Sequence, residues 1–125
     1  MRASILVIFV TLILTDSAFG TKTSAPVTGN ELLSLCSGWS GGQIAPAADA
    51  YDSDECLGFI QGLTDSTQAM RYADRPSCIF AMPEGGTYGQ VIDIVMNYLR
   101  AHPESRQRSA ANLAIAALKA VWPCK

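Results

Sequence analysis

Apolar positions recur at intervals of three and four residues in four stretches of this 125-residue chain. That period belongs to amphipathic helices, not strands. In TGNELLSLC, residues 28–36, Leu32, Leu35 and Cys36 fall on one face. Thr28 and Glu31 stand three apart, the spacing at which each side chain satisfies the other's free backbone N–H. The second stretch, YDSDECLGFIQGLTDSTQAMRYA, sets Cys56, Phe59, Ile60, Leu63, Thr67 and Met70 at helical spacing. Asp52 and Glu55 offer it a box-like start, and acids at that end suit the helix dipole. The third opens at Thr87 with Gln90 three residues on, and its stripe is Tyr88, Val91, Ile92, Val95, Tyr98 and Leu99. Its β-branched residues lower the intrinsic propensity only slightly. The helix should end near His102, because Pro103 disfavours helical geometry in the residue before it and suits the first turn of a new element. Ala110, Leu113, Ala114, Ala117, Leu118, Val121 and Trp122 give the fourth helix an unbroken face, stopped by Pro123.

Two loops separate these patterns. Residues 37–51, SGWSGGQIAPAADAY, are broken by glycines and Pro46. Trp39, the one large side chain there, is a lid on the core or a contact for a partner. In DRPSCIFAMPEGGT, Ile79, Phe80 and Met82 either tuck under the loop or face a partner. Gly58 and Gly62 stand four apart inside the second helix, with Ser66 one turn on. A glycine there costs about 1 kcal/mol against alanine. Close approach of a neighbouring helix is the expected reason, and a slot for a ligand or second subunit the alternative. With no repeat, low-complexity tract or domain boundary, the pattern predicts an all-α, single-domain bundle of four main helices.

The first 20 residues stand apart. MRASILVIFVTLILTDSAFG has a basic Arg2, an apolar run from Ile5 to Leu14, and Ala18-Phe19-Gly20 at its end. This is the form of a secretory signal peptide, too short to span a bilayer; an uncleaved anchor is the other reading. Residues 21–125 are then the mature domain. Without Arg2 and Asp16 it keeps 8 basic and 10 acidic residues, a net charge near −2. A near-neutral chain with no basic cluster argues against nucleic acid or an anionic membrane as partner.

Four cysteines, Cys36, Cys56, Cys78 and Cys124, come after the signal segment, which predicts two disulfides formed in an oxidising compartment. A helical hairpin sets the end of helix one beside the start of helix two, which favours Cys36–Cys56. Cys78 and Cys124 both come just after helix C-terminal ends, which favours Cys78–Cys124. C-x-x-C spacing is missing, so no metal site is expected.

The residues give no positive evidence for catalysis. His102 has Glu104 and Ser105 beside it, but adjacent positions on a turn do not aim at one point. A histidine in the last turn of a helix has a structural use against exposed carbonyls. Asp49, Asp52, Asp54 and Glu55 lack the calcium-loop pattern and read as a solvated face. No cofactor is expected.

GNELLSLC, ECLGFIQGLTD and TYGQVIDIVMNYLRAHPESRQRSAANLAIAALKAVWPC together resemble the Tai/Rap family of type VI secretion immunity proteins. The resemblance runs from Gly29 to Cys124. Its most specific positions are Gln90, Tyr98, His102, Pro103, Arg106 and Pro123, with Gly58 and Gly62 in a second block. It implies a periplasmic, helical, disulfide-bonded protein that binds and sterically blocks a secreted peptidoglycan amidase, protecting producer and sibling cells; some members are homodimers. Two departures stand out: Ser109 replaces a frequent proline, and the Gly/Ala-rich loop at 37–51 does not match an inhibitory element. A periplasmic helical chaperone, a lipid or small-molecule carrier, or an orphan envelope protein of the same fold are the alternatives. Trp39, Phe80, Met82 and Tyr88 are the expected exposed anchors for a partner, with Arg106 and Arg108 at the rim.

Overall fold

The computed structural model describes residues 25–73 and 77–125. The expected signal peptide lies outside the described residues. Four helices form the frame: α1 (Gly29–Leu35), α2 (Ala50–Ala69), α3 (Tyr88–Ala101) and α4 (Ala110–Val121). α3 is central. It packs on both α2 and α4, and α1 lies against all three. None of the described helices is long and apolar enough to cross a membrane.

The starts of α1 and α3 come from their capping pairs. Thr28 Oγ1 accepts from the Glu31 N–H at 3.3 Å, while Thr28 N–H donates to Glu31 Oε2 at 2.7 Å. Thr87 and Gln90 make the same exchange at 3.2 and 3.0 Å. α2 starts three residues earlier than the Asp52–Glu55 pair suggests. Asp49 is its cap, accepting from the N–H groups of Tyr51 and Asp52 at 2.9 and 3.2 Å. An aspartate in extended backbone is as good a cap as a hydroxyl residue, so the earlier acid takes the position. Ser109 precedes α4 but makes no side-chain cap. The strand-like pairing of Thr28 with Ser109 serves instead, and Ala110 N–H donates to the Val27 carbonyl at 2.7 Å.

The fold is mainly helical but not all-α. The loop expected at 37–51 contains a two-stranded antiparallel hairpin, β1 (Trp39–Ser40) and β2 (Gln43–Ile44). Gly41 and Gly42 form its turn at φ 59° and 75°. A two-residue turn with both positions left-handed matches the twist of a hairpin, and glycine reaches it without strain. The turn backbone also presses on α3. A Cβ at Gly89 would overlap the Gly42 carbonyl oxygen and lie 2.8 Å from its Cα.

The two disulfides pair as expected, Cys36–Cys56 and Cys78–Cys124, with Cα separations of 5.1 and 6.1 Å. The first ties α1 to α2 across the neck of the hairpin segment. The second ties the segment after α2 to the end of the chain. The core comprises Leu32, Ile60, Phe80, Ile92, Leu99, Leu118 and their neighbours. The stripes fade at their ends, where Met70 and Val121 are exposed. Gly58 and Gly62 contradict the expected close helix approach. Both are exposed, and a Cβ at either would meet no atom within 4 Å.

Candidate partner-binding surface

The corner where α3 meets α4 gathers four of the eight positions singled out by resemblance, Tyr98, His102, Pro103 and Arg106. His102 ends α3, and Pro103 opens the short 3-10 turn after it. The His102 ring packs on Tyr98 at 4.3 Å between centroids and lies 3.1 Å from a Glu104 oxygen. The Glu104 carboxyl is held below its ordinary value by its own backbone N–H and then by His102. Histidine and glutamate therefore do meet, although their positions did not promise it. The Ser105 hydroxyl makes no hydrogen bond with the pair, and the ring stands at the surface. Arg106 turns inward to the end of α3, where its Nε donates to the Leu99 carbonyl at 2.6 Å and its Nη2 to the Arg100 carbonyl at 3.1 Å. A cation on the last carbonyls of a helix complements the dipole and satisfies acceptors left without helical partners. The backbone of the same turn receives α1: Asn30 N–H donates to the Arg106 carbonyl and Gly29 N–H to the Arg108 carbonyl, each at 3.0 Å. The corner is a joint between helices.

The six expected surface contacts scatter. Trp39 and Phe80 are core residues, 8% and 2% exposed, which corrects the expectation that they face outward. Trp39 Nε1 reaches the Ser53 carbonyl at 3.5 Å, closing the hairpin onto α2. Phe80 is pulled under its loop where Ala81 N–H donates to the Trp122 carbonyl at 2.8 Å. Met82 and Tyr88 are half-buried and line one shallow depression of about 470 Å³. Tyr88 bridges α3 to α2 by donating its hydroxyl to Asp65 at 2.7 Å, and that bond pushes its phenol up. Arg106 is engaged at the corner, and Arg108 is exposed.

Other apolar side chains take the surface. Ile44 on the hairpin, Tyr51 at the start of α2, Tyr72 after it and Val121 are all exposed. Tyr51 lies off the Cys56–Ile60 stripe, which could have revealed it. Nothing in the pattern singled out Tyr72. Tyr51 donates to Glu55 at 2.9 Å, and that acceptor pushes its phenol up.

Three depressions bear on recognition. The largest, about 600 Å³, lies beside Cys78 between Met82 and Trp122, with Arg71 and Lys125 at its sides. A second, about 330 Å³, lies between the hairpin segment and the first turn of α2, with Asp49 and Asp52 in its wall. The third, about 350 Å³, shares Asp52 and adds Glu31 and Glu55. The Glu31 carboxyl is held below its ordinary value by the backbone N–H and hydroxyl of Thr28. All three open broadly to solvent. Among the described residues no three His, Cys, Asp or Glu side chains converge as metal ligands.

Comparison with known proteins adds one finding. The family of Rap1a immunity proteins matches residues 28–124, from the cap of α1 to the last cysteine. No curated protein matches the chain.

Proposed function

The chain belongs to the Rap1a immunity protein family, and from that premise we propose that it binds a type VI secreted effector and blocks it sterically. The effector class proposed is a peptidoglycan amidase, and the site of action the periplasm, reached by cleavage of residues 1–20. The family match over residues 28–124 carries the reading. Two disulfides fit an oxidising compartment. The stapled frame supports a mechanism of shape. A rigid surface that enters or covers a groove excludes substrate without reacting, and rigidity fixed before binding lowers the entropy lost on association.

The test is protection. An amidase effector encoded beside this chain, sent to the periplasm alone, should lyse the host. Co-expression of this chain with its leader should restore growth, and a leaderless version should not. Lysis that continues with the exported, oxidised chain present removes the reading.

A further inference from the structure

The two disulfides differ in what surrounds them. Cys36 and Cys56 are each 0% exposed, sealed within the core. Cys78 and Cys124 are both exposed. Cys78 also lines the largest depression, about 600 Å³, which opens to solvent. Of the side chains in its wall, Arg71 and Lys125 are cationic and none is acidic. Thiol–disulfide exchange needs a thiolate to reach a disulfide sulfur, so access decides which bond reacts. One bond is open to a thiolate in the folded protein. The other is reached only by opening α1 from α2.

The exposed bond joins two walls of that depression, residues 78–83 on one side and residues 121–125 on the other. Little else joins them. Pro123, Cys124 and Lys125 lie beyond α4 and make no hydrogen bond among the described residues. One backbone bond crosses between the walls, from Ala81 N–H to the Trp122 carbonyl at 2.8 Å. Phe80, 2% exposed, anchors the first wall in the core. The chain end is therefore the side free to move. The helical frame has no such dependence: α3 packs on α2 and α4, α1 lies against all three, and Cys36–Cys56 closes α1 on α2.

We propose that Cys78–Cys124 is a redox-sensitive latch, opened by a dithiol in the folded protein while Cys36–Cys56 stays oxidised. A thiolate of the dithiol attacks Cys78 Sγ from the depression. A mixed disulfide forms, the bond between the two protein sulfurs breaks, and Cys124 leaves as a thiolate. The dithiol's second thiolate then attacks its own sulfur in the mixed bond, and Cys78 leaves in the same way. Two electrons pass to the protein, and the two protons lost by the dithiol end on the two cysteines. The dithiol becomes a disulfide. Cys124, one residue from the end of the chain, then takes its wall away from the other, and the depression loses a side. An oxidised disulfide reagent reverses each step. The latch goes beyond the effector-binding reading and holds whatever the effector is.

The test uses the oxidised protein without denaturant. Dithiothreitol is added, free thiols are capped with iodoacetamide at intervals, and the capped positions are mapped by mass spectrometry. A species capped at Cys78 and Cys124 alone should accumulate. Cys36–Cys56 should open at least about a hundredfold more slowly, because a sealed bond waits on a larger opening of the fold. Hydrogen exchange of the two-thiol species should rise at the Ala81 and Trp122 amides and keep its oxidised level through α1, α2 and α3. Oxidised glutathione added before capping should restore the starting pattern. Both bonds lost together, Cys36–Cys56 lost first, protection falling throughout the helices, or exchange unchanged at Ala81 and Trp122 each overturns the latch. The double variant Cys78→Ser, Cys124→Ser is the control. It should show no capping on the fast timescale, and rapid capping there, necessarily at Cys36 and Cys56, overturns the proposal as well.

Discussion

Gly89 and the pair Gly58/Gly62 are the same residue type in opposite situations, and substitution should separate them. An alanine methyl at Gly89 would collide with the Gly42 carbonyl. Backbone cannot yield as a side-chain end can, so Gly89→Ala should lower stability by about 2 kcal/mol. Gly58→Ala and Gly62→Ala add a methyl to open space inside a helix, and each should raise stability by about 0.5–1 kcal/mol. Urea denaturation reads all three; destabilisation at 58 or 62 contradicts the exposed placement. The α1 box gives a second residue-level test. Glu31 has its folded value lowered below 4.5. Its contribution is therefore present above about pH 4.5 and lost as pH falls through the lowered value. The stability gap between wild type and Glu31→Gln should shrink on acidification through that window. A gap that widens in acid runs against the box. The box itself was legible from Thr28 and Glu31 alone, because i,i+3 capping is a local rule. The fates of Gly58 and Gly62 were not, since a small residue's spacing says nothing about whether another helix arrives.

At the scale of elements, the helices could be read from period alone, and the hairpin was missed although Gly41-Gly42 is a hairpin turn signal. Its strands are two residues long, so no alternation accumulates to mark them. The same shortness explains why Trp39 could be read as a surface contact: its burial depends on a tertiary bond to Ser53, not on sequence spacing. The disulfides were accessible because helix ends fix which cysteines meet. They enclose 20 and 46 positions, for which loop entropy gives about 3 and about 4 kcal/mol. Replacing Cys78 and Cys124 together by serine should therefore lower stability by roughly 4 kcal/mol, with hydrogen exchange rising first at the Ala81–Trp122 contact. Unchanged protection there would mean that packing alone fixes the chain end. Phe80 was an even choice in the sequence because its loop has no period; the bond from Ala81 to Trp122 decides it.

For the whole molecule, the sequence read as a helical domain, exported and cross-linked, with no reactive constellation to explain. The family match over residues 28–124 agrees with the resemblance carried by the Tyr98–Pro103 corner and the last helix. The partner surface was far less legible. Scaffold residues obey local rules, but a contact surface depends on what the folded chain leaves outside. Two of the four expected anchors went into the core, while Tyr51 and Ile44 are exposed. On the proposed mechanism this surface acts by occupying an effector, mole for mole. The direct measurement is a titration of the purified, oxidised protein into a peptidoglycan-hydrolysis assay of the proposed amidase effector. Activity should fall linearly to background at one equivalent, and the reduced, unfolded chain should have no effect. Hydrolysis that persists in molar excess of the folded protein would contradict the mechanism.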